Sequence, residues 1–126
     1  MKTTPTVSEI GQIALTVSDV AKAREFYRDV LGLTFLFDAG PDLSFLAAGS
    51  VRILLTKPEG NGVVGKNSVL YFRTGSVDET FNAVVARGAK AEQVPHLIVK
   101  MPDHELWMGF VRDPDGNLIG LMEERR

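Results

Sequence analysis

The sequence predicts an α+β fold made of two similar halves, each with the order strand, helix, then three strands. Residues 9–56 and residues 67–123 both show this βαβββ pattern, because helix caps, apolar runs and turns fall at corresponding places in the two halves. Residues 57–66 lie between them and contain three glycines and a proline, which is typical of a linker. We therefore interpret residues 1–126 as one domain, with module 1 at about 9–56, a linker at 57–66 and module 2 at about 67–123.

The elements of module 1 follow from its apolar pattern. The β-branched and apolar run IGQIALTV predicts the first strand, and Ser18 and Asp19 after it are good helix N-cap residues. Gly32 marks the end of the helix, since a left-handed C-cap favours a residue without a side chain. Three strand candidates follow, LTFLFDA, DLSFLAAG and VRILLT. The helix, of about three to four turns, carries its apolar stripe on Val20, Ala23, Phe26, Tyr27, Val30 and Leu31.

Module 2 repeats the order. SVLYF predicts its first strand, and Ser76 with Glu79 forms a capping box that opens a helix ending at Gly88. The three strand candidates that follow are AEQVPHLIVKM, HELWMGFV and NLIGLM, and the segment DPDGN before the last of them is a strong turn signal. We expect the last four residues, 123–126, to form a solvated tail.

Composition excludes several classes of protein. A hydrophobic content of 44% with 24% charged residues is typical of a soluble globular domain. The net charge of −2 and the scattered basic residues predict no nucleic-acid partner. No long apolar run and no secretory leader pattern occurs, so we expect no membrane insertion and a cytoplasmic location. The absence of cysteine excludes disulfides, thiolate metal sites and cysteine nucleophiles.

Two motifs carry a resemblance to a known family. VSDVAKAREFYRDVLGLTF, with Phe26-Tyr27 and Leu31-Gly32, and FVRDPDGNLIGLMEE, with the turn Asp113–Asn117, resemble the vicinal oxygen chelate superfamily. This superfamily includes glyoxalase I, extradiol dioxygenases, methylmalonyl-CoA epimerases and bleomycin-resistance proteins. The resemblance covers residues 9 to about 124. It implies that the paired modules curl into a half-open, barrel-like sheet with helices outside and a cavity inside, assembled as a homodimer.

The resemblance also locates the family's metal positions. Metal-dependent members carry a His or Glu on the first and last strands of each module, and these places map to Gln12, Leu54, Ser68 and Gly120. Divalent metals in such sites need carboxylate or imidazole ligands, usually three or more. None of the four residues supplies one, so we expect no metal at this site and no cofactor. A metal held by His96, His104 and Glu105 is the remaining alternative, although Glu105 alternates to the opposite face from His104.

Strand alternation from the metal-equivalent positions predicts which residues face the cavity, since neighbouring side chains point to opposite faces. Trp107 is expected on the other face, under a helix or at a subunit contact. The predicted cavity wall is mostly apolar with a few polar points, as in small-molecule sites. The same residues could instead only fill the interior. The predicted ligand-binding residues are Gln12, Ala14, Phe45, Leu54, Ser68, Leu70, Met108, Phe110, Gly120 and Met122.

The two histidines are the candidate catalytic groups, because only their unperturbed pKa permits titration near neutrality. His96 and His104 lie on consecutive predicted strands joined around Met101-Pro102-Asp103, and a hairpin there would bring them opposite each other. Either could act as a general acid or base, oriented by Asp103 or Glu105.

Three functional hypotheses follow. The first is a metal-independent protein, similar to bleomycin-resistance members, that binds a partly apolar small molecule in a cavity completed at a homodimer interface. The alternative is a glyoxalase-like lyase or isomerase that uses His96 or His104 as acid or base, and the sequence leaves open whether the protein is an enzyme. The third is a dimeric scaffold without a ligand. The step from superfamily to activity is analogy, because folds host many functions.

Overall fold

The structure is a computed structural model that describes residues 5–60 and 62–126. Residues 1–4 of the predicted domain and residue 61 of the predicted linker lie outside the described residues. The rest of the linker forms neither helix nor strand. Module 1 contains β1 (Gln12–Thr16), α1 (Val20–Glu25), β2 (Thr34–Asp38), β3 (Leu43–Ala48) and β4 (Val51–Thr56), and module 2 contains β5 (Leu70–Arg73), α2 (Val77–Ala86), β6 (Lys90–Lys100), β7 (Glu105–Arg112) and β8 (Leu118–Arg125).

The strands form two four-stranded sheets with the same topology, in the orders β1-β4-β3-β2 and β5-β8-β7-β6. In each sheet the first strand of the module pairs in parallel with the last, and the other pairs are antiparallel. The predicted α+β class with two βαβββ modules is confirmed. Among the described residues no strand of one sheet pairs with a strand of the other, so β1 and β5 are both edge strands.

The helix of module 1 begins and ends where its caps predict, but its second half differs from an α-helix. Asp19 caps the start by accepting a hydrogen bond from the backbone N–H of Lys22 at 3.0 Å, and Gly32 after the end has φ of 87°. From Phe26 to Val30 the helix widens into a π-helical turn. Phe26 and Tyr27, the first two residues of this turn, are both buried.

A single hydrophobic core joins the two modules on the helix side of both sheets. Strand residues alternate into this core, so the opposite face of each sheet is turned away from it. Asn67 adds a polar link: it accepts from the N–H of Thr16 at 3.0 Å and donates to Oδ1 of Asn117 at 3.0 Å. The core residues contributed by the sheets include Leu15, Leu46, Ile53 and Leu55 from module 1 and Val111, Ile119 and Leu121 from module 2.

The C-terminal segment is a strand rather than the expected solvated tail, because β8 continues to Arg125. Glu123 accepts a hydrogen bond from the N–H of Val77 at 2.8 Å, at the first turn of α2. The guanidinium of Arg125 lies 4.1 Å from the ring centroid of Trp107, which faces the helix side as expected. In the part of the chain that the structure describes, no helix is both long and apolar enough to cross a membrane.

Candidate ligand-binding faces of the two sheets

The first candidate site is the face of the module 1 sheet that points away from the core, called here the module 1 face. On β1 and β4, Ile13, Leu15, Ile53 and Leu55 alternate into or against the core, which leaves the intervening residues on the outer face. Strand pairing places Gln12 beside Arg52, Leu54 between Ala14 and Phe45, and Phe37 beside Phe45. The module 1 face therefore includes Gln12, Ala14, Phe37, Phe45, Arg52 and Leu54, and the same pairing adds Ala47 and Thr34.

A cation and two aromatic rings dominate the module 1 face. Nε of Arg52 donates a hydrogen bond of 2.7 Å to Oε1 of Gln12, and its guanidinium lies 5.3 Å from the ring centroid of Phe45. Phe37 stacks on Phe45 with centroids 4.5 Å apart and an interplanar angle of 21°. The side chain that the family comparison places as a metal ligand, Gln12, thus has its amide oxygen engaged by a guanidinium.

The second candidate site is the corresponding module 2 face. Tyr71 lies beside Gly120, and its ring occupies the space that a side chain at Gly120 would need. The ring of Phe110 meets Tyr71 edge to face with centroids 6.0 Å apart. Pairing continues the face through Met108 and Met122. The module 2 face therefore includes Tyr71, His96, Met108, Phe110, Gly120 and Met122, and the same pairing adds Arg73, Leu106, Leu118 and Glu124.

Two predicted ligand-binding residues lie elsewhere. Leu70 pairs with Ile119 and packs against the core, so its assignment to the cavity face is wrong. Ser68 precedes β5 and has no place in the sheet. The reason is a shift of one residue: β5 begins at Leu70, and the strand residue that shares a face with Gly120 is Tyr71. The other eight predicted residues lie on the two faces.

The family's metal does not fit the residues present. Module 1 pairs Ala14 with Leu54, and module 2 pairs Tyr71 with Gly120, so Val69 rather than Ser68 corresponds to Gln12. Val69 supplies no ligand either, and Leu54 and Gly120 have no donor atoms. Among the described residues, no three histidine, aspartate or glutamate side chains come together as a metal site. The residues at these positions therefore do not suit a divalent metal.

The two histidines do not face each other. Strand pairing sets His96 beside Met108 and Lys100 beside Glu105, so His104 lies four residues further along the sheet, about 13 Å away. Nδ1 of His96 bonds the carbonyl oxygen of Val94 at 3.0 Å. The predicted hairpin is present, but its register separates the histidines.

Each histidine has a local partner. The ring of His104 is hydrogen-bonded through Nδ1 to Asp103 at 2.8 Å. This bond, with a second one from Arg126, holds the pKa of Asp103 below its usual range. The arrangement resembles an oriented acid–base pair, but it lies at the exposed turn rather than between the two sheet faces.

The faces are open in a single chain. Two grooves of about 460 and 630 Å³ lie on the core side, between module 1 and β5 with α2, and share Leu33, Phe72 and Arg73 in their walls. The larger groove also includes Leu70 and Tyr71, whereas neither groove includes Gln12, Leu54 or Gly120. On the outer faces of one copy of the chain, Gln12, Ala14, Phe37 and Tyr71 are exposed.

Several residues of the faces were not predicted from the sequence, among them Arg52, Tyr71 and Phe37. Arg52 lies two residues before Leu54, so the same alternation could have found it. Tyr71 was missed through the shift of one residue in β5. Phe37 was hidden by an irregularity in the pairing of β2 with β3 between Phe35 and Phe37, which breaks a simple alternation count.

Paired βαβββ modules with open sheet faces define a protein of the vicinal oxygen chelate type. A sequence profile of the Glyoxalase/Bleomycin resistance protein/Dioxygenase superfamily matches residues 9–121. The chain belongs to this superfamily, which confirms the resemblance carried by the two motifs.

Individual relatives extend this finding. Uncharacterized protein YraH from Bacillus subtilis (strain 168) is 32% identical over 124 residues, covering 86% of this chain and 92% of that protein. Lactoylglutathione lyase from Agrobacterium tumefaciens has a TM-score of 0.73 and 28% identity, covering 94% of this chain and 96% of that chain. TnmS3, an antibiotic binding protein from Streptomyces sp. CB03234, has a TM-score of 0.75 and 24% identity, and the match covers 96% of this chain and 99% of that chain. At this identity, the likeness to TnmS3 concerns the fold alone.

Proposed function

We propose that this protein is a metal-independent member of the superfamily that binds a partly apolar small molecule between two sheet faces. The observation that carries the proposal is the pair of open faces, on which aromatic and thioether side chains surround a few polar groups. Phe37 and Tyr71 are 45% and 50% exposed, which is costly for large apolar side chains without an occupant. The fold also serves binding elsewhere, since TnmS3 is an antibiotic binding protein.

The proposed site is completed by a second copy of the chain. Both faces of one chain point away from its own core, so one chain does not close them on each other. In a homodimer, the module 1 face of one protomer lies opposite the module 2 face of its partner. Phe37 and Phe45 then meet the side that carries Tyr71 and Phe110, which encloses the ligand between aromatic walls.

Metal independence in the proposal rests on the chemistry of the side chains. The first and last strands offer an engaged amide at Gln12 and no donor atoms at Leu54, Val69 and Gly120. A positive guanidinium beside Gln12 further disfavours a divalent cation there.

The proposal is tested with a neutral apolar dye, N-phenyl-1-naphthylamine, whose fluorescence rises in an apolar site. We expect saturable binding that is unchanged by EDTA, and a dimer in sedimentation velocity experiments. Ala14 is exposed on the module 1 face, so Ala14→Phe fills the proposed site without crowding the core. We expect this variant to weaken dye binding by about tenfold or more, since an overfilled site loses its contacts.

The matched control is Ala21→Phe, which adds the same ring on the exposed surface of α1. It should leave dye binding within about twofold of the unsubstituted protein, because exposed substitutions away from a site change little. Absence of dye binding, or equal effects of the two variants, would contradict the proposed function. Binding that disappears with EDTA would contradict metal independence.

A further inference from the structure

We infer that the ligand carries an oxyanion, such as a carboxylate, sulfonate or phosphate group, and that Arg52 binds it. This inference rests on the proposed function and names the chemical class of its ligand: an aromatic or apolar body with one anionic group. The observation behind it is the state of the Arg52 guanidinium on the module 1 face.

Arg52 is held in place but not neutralised. Its Nε donates to Oε1 of Gln12 at 2.7 Å, and its plane lies near the ring of Phe45. In residues 5–60 and 62–126, its terminal nitrogens Nη1 and Nη2 donate to no protein acceptor, and it joins no ion pair. These two nitrogens are the fork with which a guanidinium binds an oxyanion through two parallel hydrogen bonds.

Five of the other seven arginines have acidic partners, while Arg73 and Arg87 have none among the described residues, so Arg52 is distinguished by its place on an aromatic face rather than by the missing ion pair alone. For example, Arg24 pairs with Asp38, Arg112 with Glu92 and Arg126 with Asp103. The described neighbours of Arg52 on the face are uncharged, namely Gln12, Ala14, Ala47, Leu54, Phe37 and Phe45. An unneutralised cation in an apolar face favours an anion and disfavours a cationic ligand.

The surroundings also prepare Arg52 for binding. The bond from Gln12 and the contact with Phe45 fix a long side chain that would otherwise lose rotamer freedom when a ligand binds. The stacked pair Phe37 and Phe45 provides an aromatic surface directly beside the guanidinium. A ligand with a ring next to its anionic group therefore matches both features at once.

The test compares two dyes with the same skeleton, 8-anilinonaphthalene-1-sulfonate and the neutral N-phenyl-1-naphthylamine, on the dimer in low-salt buffer. We expect Arg52→Gln to weaken binding of the sulfonate by about tenfold or more, as loss of a hydrogen-bonded charge contact does. Binding of the neutral dye should weaken by a clearly smaller factor, because Arg52 also lies against Phe45 in the proposed site. Added salt should weaken binding of the sulfonate dye more than binding of the neutral dye.

A second variant keeps the test independent of the folding of Arg52→Gln. Gln12→Glu preserves the shape of the side chain and places a carboxylate on the guanidinium, so it should also lower the affinity for the sulfonate by a larger factor than the affinity for the neutral dye. The control is Arg28→Gln, which removes an arginine paired with Asp29 on the exposed helix surface. It should change neither affinity.

The outcomes separate this inference from the proposed function. If neither dye binds, the proposed function fails. If the neutral dye binds but the sulfonate is insensitive to Arg52→Gln and Gln12→Glu, the site stands and the anion assignment is wrong. If Arg52→Gln instead dissociates the dimer and weakens both dyes equally, Arg52 is an interface residue and the inference is overturned.

Discussion

The hydroxyl of Tyr27 donates a buried hydrogen bond of 2.7 Å to Oδ2 of Asp113, across 86 residues of sequence. Asp113 also accepts from the backbone N–H groups of Asp115 and Asn117 at 2.9 and 2.8 Å, so it organises the turn before β8. One bond therefore ties the π-helical turn of module 1 to the turn that orients the last strand of module 2. The two motifs that identify the family are in direct contact.

We predict that Tyr27→Phe lowers the free energy of unfolding by about 1–3 kcal/mol, because it removes one of the two hydrogen bonds to Oδ2 of a buried carboxylate and leaves only the bond from Nδ2 of Asn117. Urea denaturation measures the change. Tyr71→Phe is the control, since the exposed hydroxyl of Tyr71 makes no hydrogen bond within the described residues and its loss should cost less than about 0.5 kcal/mol. Equal effects of the two substitutions would show that the bond contributes nothing specific.

The same contact predicts an alkaline limit to stability. Burial, the charge of Asp113 and the hydrogen bond to it raise the pKa of Tyr27 well above its ordinary value. Because the folded state favours the neutral phenol, the stabilisation is complete below the ordinary tyrosine pKa of about 10 and decreases as the pH rises above it. In Tyr71→Phe, where Tyr27 is the only tyrosine left, phenolate absorbance should appear only together with unfolding. Phenolate formation in folded protein near pH 10 would contradict this.

Gly120 is predicted to be the least replaceable residue of the module 2 face. A Cβ at this position would overlap the ring of Tyr71, so Gly120→Ala should displace the ring and cost about 1–3 kcal/mol. Adding Tyr71→Ala should remove most of this penalty, which a double-mutant cycle in urea measures. Gly11→Ala is the control, because a Cβ there meets no atom within 4 Å. Additive effects would mean that the two residues are not in conflict.

Ser44 offers a substitution that should stabilise the protein. Its Oγ is buried and has no hydrogen-bond partner among the described residues, while its neighbour on β4, Leu55, lies in the core. Removing an unsatisfied buried hydroxyl relieves its desolvation cost. We therefore expect Ser44→Ala to raise the free energy of unfolding by about 1 kcal/mol, which appears as a higher melting temperature. Ser50→Ala, at an exposed turn, should be neutral. A loss of stability at Ser44 would indicate that the hydroxyl is satisfied in solution.

Local signals in the sequence were sufficient for the modules. Asp19, Gly32 and Ser76 mark helix boundaries because caps depend on the backbone of their own turn, and each takes the expected role. The π-helical turn could not be predicted in this way, since it depends on how Tyr27 packs against a distant module. The capping box is only half formed: Ser76 accepts from the N–H of Glu79, while the N–H of Ser76 points to Thr74.

The residues of the candidate faces could be predicted wherever the first residue of the strand was predicted correctly, because alternation then fixes which side chains share a face. Eight of the ten predicted ligand-binding residues lie on the two faces, whereas a one-residue error at β5 exchanged Tyr71 for Leu70. The contact of Arg52 with Gln12 depends on the parallel pairing of β1 with β4, which brings together residues 40 apart in sequence. Such a contact is set by tertiary structure and leaves no local pattern.

The direction of the two faces has a genetic consequence. In the proposed dimer each site takes one wall from each chain, so a damaged face in a homodimer disables both sites. If one chain is damaged on its module 1 face and the other on its module 2 face, a mixed dimer behaves differently. One of its two sites contains both damaged faces, and the other site contains two intact faces. Alleles that are inactive alone would then complement each other, and the restored binding would reach at most half of the sites in a mixed dimer.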